Sequence, residues 1–293
     1  MSAAAEVSSG KGHRDENFPV ASWLIARRHR PIILAFYRFV RMADDVADHA
    51  TLDPEEKLAL LDRLERSLLG REDSEAAGVA LRTALAERRL PPRHALDLLT
   101  AFRLDVTKRR YADWNDLMDY CAFSAMPVGR FVLDVHGEAR STWPASDALC
   151  AALQVINHLQ DCGKDFRALD RVYIPLDAFA EAGLDPAVLA VGPAPAPLLG
   201  CIRKLALSTK ALLAEAAPLA LQVADNRLAL EIAVIHRLAA RLCLWLQTRD
   251  PLSQRVHLSG AQSATLALRA MGAVALGRWG RRPAVSRVSG KRP

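Results

Sequence analysis

The chain has 293 residues, of which 51% are hydrophobic, and a formal net charge of +6. It is long enough to bury a large core in one or two domains. The most apolar stretch, residues 228–246, carries Glu231, Arg237 and Arg241, so a membrane-spanning helix is not predicted. Residues 1–17 are small and polar and lack an apolar signal segment, and the five scattered cysteines show no metal-binding spacing. These features predict a cytoplasmic protein with reduced thiols.

The net charge is concentrated at the C-terminal end. Residues 278–293 carry six basic and no acidic side chains, which equals the whole net charge of +6. We interpret them as a basic tail, either solvated or attracted to an anionic membrane surface, which would place the protein peripherally on the inner face of the cell membrane. No recognised nucleic-acid-binding module accompanies the tail, so nucleic acid is not a predicted partner.

Apolar residues recur at helical spacing through most of the chain, and no convincing run alternates with a period of two. Proline and glycine separate the segments. This pattern predicts an all-α protein with one helical domain, whose clearest segments are Asp53–Leu69, His94–Val106, Trp114–Val135, Ala145–Phe166, Leu199–Leu221 and Arg227–Gln247.

Two helical segments carry columns of oxygen-bearing side chains. Asp44 and Asp48 are spaced i, i+4, and Asn157, Asp161 and Asp165 continue that spacing over two turns. Like charges at this spacing repel by roughly 0.2–0.5 kcal/mol per pair. Hard oxygen ligands of this kind suit Mg²⁺, which takes one or two carboxylates together with substrate phosphates. The columns therefore predict two metal-binding helices that grip a diphosphate.

A solvated helix face is the alternative interpretation of each column. Apolar residues crowd both columns, and no basic residue follows at i+4 to neutralise either one. Asn157 adds a neutral carbonyl oxygen, which is a good ligand for a hard cation. These features favour the metal site.

Other polar features leave two interpretations open. Arg41 and the basic run 108–110 could grip a diphosphate or form surface ion pairs. The break at Pro127 and Gly129 could simply end or kink a helix, or it could in addition open a pocket. His136 and the other isolated histidines, His158 and His236, have no second ligand at metal spacing and are predicted to be structural or exposed.

At these residues the chain resembles the squalene/phytoene synthase family of helical isoprenoid enzymes, over about residues 17–258, and within it the bacterial hydroxysqualene synthases. The stretches that carry the likeness are residues 16–22, 37–48, 120–129, 154–166 and 170–175. The resemblance implies one helical domain at 17–277, with the isoprenoid synthase fold around a central cavity, between a flexible segment at 1–16 and the basic tail.

The resemblance also implies the roles of individual residues. Metal ligands would be Asp44, Asp48, Asn157, Asp161 and Asp165, and Arg41 would join the aspartates in catalysis. Substrate contacts would come from Tyr37, Arg41, Phe123, Gln160, Arg171 and Tyr173, and the cofactor would be Mg²⁺.

Two departures from the family pattern refine the expected activity. Phe123 stands where members that join two prenyl diphosphates have a tyrosine, and it cannot relay a proton. Gln160 stands where many members carry an arginine. We therefore expect conversion of presqualene diphosphate to hydroxysqualene in hopanoid biosynthesis. The alternatives are head-to-head condensation of two prenyl diphosphates and a non-catalytic interaction subunit. The chemistry further predicts transfer from a presqualene diphosphate synthase and to a hydroxysqualene reductase.

Overall fold

The computed structural model describes residues 25–279, and the helical class predicted from the sequence is confirmed. Within that range a single parallel bridge, between Arg110 and Val172, is the only β pairing. The helices are α1 (Arg30–Ala47), α2 (Pro54–Leu68), α3 (Ala76–Arg88), α4 (Arg93–Thr107), α5 (Trp114–Ser124), α6 (Met126–His136), α7 (Trp143–Leu169), α8 (Leu176–Glu181), α9 (Ala196–Ala216), α10 (Leu219–Gln222), α11 (Asn226–Leu246) and α12 (Gly260–Trp279).

Local sequence signals explain several helix starts. Asp53 and Glu56 form a reciprocal capping box at the start of α2, in which each side chain accepts the other residue's backbone N–H. Asp113 caps α5 and Asp225 caps α11 through their carboxylates. Each of these helices begins within one residue of the segment predicted from apolar spacing.

The predicted segment Trp114–Val135 is two helices rather than one. The chain leaves helical geometry at Ala125, two residues before Pro127, and α6 then begins at Met126. A Cβ atom on Gly129 would lie 2.6 Å from Sγ of Cys150, so glycine lets α6 approach α7 closely. The segment Leu199–Leu221 is likewise divided, at Pro218, into α9 and α10.

The helices pack in two groups around two hydrophobic clusters. In one cluster α1 lies against α2, α3 and α4, and in the other α7 lies against α5, α9 and α11. Helix α6 joins the groups, because Phe131 belongs to the first cluster and Leu133 to the second. The ring of Phe131 stacks on that of Phe36 in α1 with centroids 3.8 Å apart. The two helices that carry the aspartate columns therefore lie in different groups.

The predicted boundary between the domain and the basic tail falls inside α12. Arg278 is part of this helix, and its guanidinium donates to the carbonyl oxygens of Ala220 and Val223 at 3.0 and 2.9 Å. The remaining tail from residue 280, and the N-terminal segment with the motif at 16–22, lie outside the described residues. Among the described helices, none combines the length and apolarity that crossing a bilayer requires.

Candidate active site

The first aspartate column lies at the C-terminal end of α1. Asp44 is in the last turn of the helix and Asp48 is its C-cap. Arg41 reaches both Asp44 and the buried Asp45, with Nη atoms 3.0 Å from each carboxylate. Burial, and next the charge of Asp48, raise the pKa of Asp44 to about 7 against the opposing charge of Arg41. One arginine thus shares its charge between two acids and leaves this end of α1 rich in negative charge.

Arg171 ties Asp48 to the rest of the fold. Its Nη1 lies 2.5 Å from Oδ1 of Asp48, and its Nη2 donates to the carbonyl oxygens of Asp105 at 3.0 Å and Ala47 at 3.4 Å. The residue is 93% buried, being only 7% exposed. This guanidinium therefore joins the C-terminal ends of α1 and α4.

The second column runs along α7. Asn157, Asp161 and Asp165 are all half-buried on this helix. Burial, together with the charges of Asp161 and Asp48, raises the pKa of Asp165 to about 7. Because Asp48 belongs to the first column, its effect on Asp165 shows that the two columns lie within electrostatic range of each other.

A cavity of about 290 Å³ lies between α1 and α7. Its lining is mainly apolar and includes side chains from α1, α6, α7 and α11. Tyr37 and Asn157 line it as well, and each stands one helical turn before a residue of the polar site, Arg41 and Asp161 respectively. The acidic columns are therefore at one end of an apolar cavity, and a central cavity is what the family resemblance implied.

A buried carboxylate adjoins the first column. Asp105, near the end of α4, accepts hydrogen bonds from the Tyr120 hydroxyl at 2.9 Å and from the Tyr173 hydroxyl at 3.3 Å. Burial raises the pKa of Asp105 to about 6, although Arg171 and both hydroxyls oppose the shift. Tyr120, Tyr173 and Arg171 thus hold Asp105 close to Asp48, one of the predicted metal ligands.

An aromatic layer backs this network. The imidazole of His158 stacks on the ring of Tyr173 with centroids 3.4 Å apart, and the ring of Tyr111 also stacks on Tyr173, with centroids 5.5 Å apart. Burial and then the charge of Arg171 lower the pKa of His158 to about 3, so this imidazole is neutral at pH 7. His158 is therefore a buried residue that packs against Tyr173, in agreement with its predicted structural role.

Two residues beside the columns were not identified from the sequence. Asp105 continues the buried stripe of Leu98, Ala101 and Phe102, and an acid at a core position of a helix is a signal that could have revealed it. Lys57 donates from Nζ to the Ala47 carbonyl at 3.1 Å, and burial, the charge of Arg171 and that of Arg109 lower its pKa. No local pattern marks Lys57, because α2 brings it to the end of α1 only through tertiary packing.

Two residues predicted to contact the substrate, Gln160 and Phe123, are not among the residues that line the cavity. Gln160 is buried and donates its amide N–H to the Val256 carbonyl, so its side chain packs α7 against the segment before α12. Phe123 is 39% exposed near the end of α5 and is absent from the lining of the cavity. The substrate contacts of Gln160 and Phe123 both stay predictions.

The basic run 108–110 forms ion pairs. Lys108 pairs with Asp116, while Arg109 and Arg110 lie 3.0 and 2.6 Å from the carboxylate of Asp170. Of the two interpretations of residues 108–110, the structure therefore agrees with ion pairs. The pairs with Asp170 hold the α4–α5 connection against the segment that carries Arg171.

The donor set fits a hard divalent cation. Asp44 and Asp165 have pKa values raised to about 7 by burial and by neighbouring carboxylates, which means that a cation among them would relieve repulsion. Carboxylate and amide oxygens are the donors that Mg²⁺ prefers, whereas Zn²⁺ favours nitrogen and sulfur. The residues that would provide this set are Asp44, Asp48, Asn157, Asp161 and Asp165.

The raised pKa of Asp165 predicts a stability difference that depends on pH. The pKa of this carboxyl is near 3.8 in the unfolded chain and near 7 in the fold. The fold therefore loses stability as the pH rises from about 4 to about 7, because the buried carboxyl must then give up its proton. Without metal, Asp165→Asn should therefore exceed the wild type in free energy of unfolding by about 1–3 kcal/mol at pH 8 and equal it below pH 4. Urea unfolding across this range measures the difference.

Mg²⁺ should reverse the order of the two proteins at pH 8, because a bound cation stabilises the wild type more than the variant. Asp119→Asn, an exposed change on α5, is the matched control, and the difference between its free energy of unfolding and that of the wild type should change with neither pH nor Mg²⁺. A difference between wild type and Asp165→Asn that is constant over pH would contradict the raised pKa.

Comparisons with known proteins agree with this architecture. A family model described as squalene/phytoene synthase matches residues 12–262. The chain is 57% identical over 281 residues to a hydroxysqualene synthase of Rhodopseudomonas palustris, covering 93% of this chain and 96% of that protein. A hydroxysqualene synthase of Sinorhizobium fredii is 56% identical, with coverage of 94% and 93%.

A solved structure is similar as well. The squalene synthase HpnC from Alicyclobacillus acidocaldarius matches with a TM-score of 0.71 and 31% identity, over 83% of this chain and 91% of that one. The resemblance seen in the two aspartate segments is thereby confirmed, and the chain belongs to the squalene/phytoene synthase family.

Proposed function

We propose that this protein converts presqualene diphosphate to hydroxysqualene and releases diphosphate, as a step of hopanoid biosynthesis. The observation that carries the proposal is the position of two acidic columns at one end of an apolar cavity. A substrate with a charged diphosphate and a long hydrocarbon part needs both environments side by side. The identity of 57% to a relative named hydroxysqualene synthase supports the same product.

The residues of the acidic end would hold Mg²⁺. Asp44 and Asp48 on α1, with Asn157, Asp161 and Asp165 on α7, supply the oxygen donors. When bound, the ion would neutralise the charge that develops on the departing diphosphate. Arg171 keeps Asp48 in place, and Lys57 adds a positive charge beside it.

The apolar end would protect the carbocation left by diphosphate departure. Phe36, Ile33 and Leu149 line the cavity together with other apolar side chains, and they exclude water until the carbon skeleton has rearranged. Water then adds to the cation, and the resulting oxonium ion loses a proton to the released diphosphate, which yields the alcohol. Tyr37 and Asn157 stand where the polar and apolar parts meet, so they would orient the reacting carbon relative to the diphosphate.

Head-to-head condensation of two prenyl diphosphates is the second candidate. Phe123 argues against it, since its ring offers no hydroxyl for the proton transfer of that half-reaction. Tyr120 and Tyr173 have hydroxyls, but both donate to Asp105. The third possibility named from the sequence, a non-catalytic subunit, conflicts with the complete set of oxygen donors on α1 and α7.

The purified enzyme with Mg²⁺ should convert presqualene diphosphate to hydroxysqualene without NADPH and should leave farnesyl diphosphate unchanged. Separate incubations with each substrate, followed by mass spectrometry of the products, test this. Efficient formation of a C30 product from farnesyl diphosphate would show that the chain is a full synthase and would overturn the argument from Phe123.

The partners also remain proposals. An apolar substrate and product favour direct transfer from a presqualene diphosphate synthase and to a hydroxysqualene reductase at the membrane surface. The basic residues beyond Trp279 would attract anionic lipid. Co-sedimentation with anionic liposomes, comparing the full chain with one that ends at Trp279, tests this attraction, and equal binding would refute it.

A further inference from the structure

Three side chains with metal-binding chemistry meet at the N-terminal end of α1. His29 is the N-cap of this helix, His136 is the last residue of α6 and Asp225 is the N-cap of α11. Their ligand atoms all lie within 4.8 Å of one another, and the two imidazole centroids are 4.3 Å apart. The 18 residues of α1 separate this cluster from the aspartates by roughly 27 Å.

Among residues 25–279, each imidazole has one buried nitrogen that finds no hydrogen-bond partner. These atoms are Nδ1 of His29, a residue that is only 5% exposed, and Nε2 of His136. The other nitrogen of His136, Nδ1, donates to the Val132 carbonyl at 2.8 Å, which leaves the lone pair of Nε2 directed away from α6. A histidine fixed in this way by a backbone carbonyl is typical of metal ligands.

The carboxylate of Asp225 is held in place as well. Its Oδ1 accepts the backbone N–H groups of Arg227 and Leu228 at 2.7 and 3.1 Å. Glu138, two residues after His136, accepts the backbone N–H of Asp225 at 2.8 Å and so holds the start of α11 against the end of α6. The second carboxylate oxygen lies 3.9 Å from Arg28, whose side chain is 70% exposed and free to move away.

We propose that His29, His136 and Asp225 bind a divalent transition metal ion, Zn²⁺, which joins the ends of α1, α6 and α11. Two imidazoles and a carboxylate are a donor set for Zn²⁺ and not for Mg²⁺. Zinc–ligand bonds of about 2.0–2.1 Å place neighbouring donor atoms of a tetrahedral site about 3.3 Å apart, so small side-chain rotations would complete the site. Val132 and Leu228 line the cavity beside these ligands, and the ion would close the apolar end of that cavity.

The pKa of His29 supports this assignment. Burial, and next the charge of His136, lower it to about 4, so the imidazole is neutral at pH 7 and ready to coordinate. Nε2 of His29 accepts from Nε of Arg28 at 2.9 Å. On metal binding through Nδ1 this nitrogen would carry the proton, and the exposed Arg28 would turn to solvent.

Co²⁺ absorption spectroscopy on the full, untagged chain after chelator treatment tests the site. Titration is done in millimolar Mg²⁺, which occupies the oxygen ligands of α1 and α7. We expect visible bands that saturate at one equivalent and that Zn²⁺ removes. His29→Gln and His136→Gln should each weaken Co²⁺ binding by at least about tenfold. Zn²⁺ should raise the Tm of the wild type by about 5 °C and leave that of His136→Gln unchanged.

Two further variants make the assignment specific. His236→Gln is the matched control, because His236 bonds the Leu213 carbonyl at 2.7 Å in a different part of the fold, and it should bind Co²⁺ like the wild type. Asp161→Asn should also keep the Co²⁺ bands. Absence of the bands in the wild type, their persistence in both histidine variants, or their loss in Asp161→Asn would each overturn the proposal.

Discussion

Replacing Asp161 by asparagine is expected to lower kcat on presqualene diphosphate at least about a thousandfold, which corresponds to roughly 4 kcal/mol of activation free energy. Asp161 stands between Asn157 and Asp165 on α7. An amide keeps the size of the side chain but removes the charge that would hold Mg²⁺ against the departing diphosphate. Single-turnover kinetics at saturating substrate and several Mg²⁺ concentrations measure the effect.

The same change should leave the fold intact. Removal of one of two like charges at i, i+4 spacing relieves about 0.2–0.5 kcal/mol of repulsion, so the metal-free variant should unfold at or slightly above the Tm of the wild type. Asp119→Asn, an exposed substitution of the same chemistry on α5, should keep full activity. A kcat of Asp161→Asn within tenfold of the wild type, with unchanged Mg²⁺ dependence, would remove Asp161 from the proposed metal site.

The aspartate columns could be predicted from the sequence because their geometry belongs to single helices. Spacing of i, i+4 places Asp161 and Asp165 on one face of α7 whatever the rest of the fold does. Apolar periodicity located α7 within three residues at either end, since Ala145–Phe166 was predicted and Trp143–Leu169 is observed. Proline marked the break between α5 and α6 for the same local reason.

Contacts between distant segments could not be predicted in this way. Arg171 pairs with Asp48 across 123 residues, and Lys57 reaches the end of α1 from α2. The hydrogen bond from Gln160 to the Val256 carbonyl could not be predicted either, because the Val256 segment packs on α7 only in the tertiary fold. Local spacing also concealed the partners of His136, since His29 and Asp225 lie more than a hundred residues before it and nearly ninety after it respectively.

The electrostatics of the acidic end explain why these distant contacts matter. Three carboxyls there, Asp44, Asp105 and Asp165, have pKa values raised by burial to between about 6 and 7. Each is charged near neutral pH only at a cost to the fold, and that cost is what a bound cation would remove. The fixed charge of Arg171 offsets part of it in the absence of metal, because this guanidinium lowers the pKa of both Asp105 and Asp165.

Substituting Arg171 by methionine is therefore expected to lower the free energy of unfolding by about 3–5 kcal/mol at pH 8, since buried acceptors lose their cationic partner. The loss should be smaller at pH 5. Without Arg171 the folded pKa of Asp105 rises above its present value of about 6, so this carboxyl is protonated at pH 5 and needs no cation. Urea unfolding at the two pH values measures both quantities.

A double-mutant cycle separates charge from packing in this network. In an Asp105→Asn background, Arg171→Met should cost clearly less at pH 8 than in the wild type, and the pH dependence of its cost should shrink. Arg171→Lys keeps the charge but loses the fork that reaches Asp48 and the Ala47 carbonyl together, so it should recover part of the stability while still weakening activation by Mg²⁺ about 10–100-fold. An equal cost of Arg171→Met in both backgrounds and at both pH values would mean that Arg171 is not coupled to the charge of Asp105.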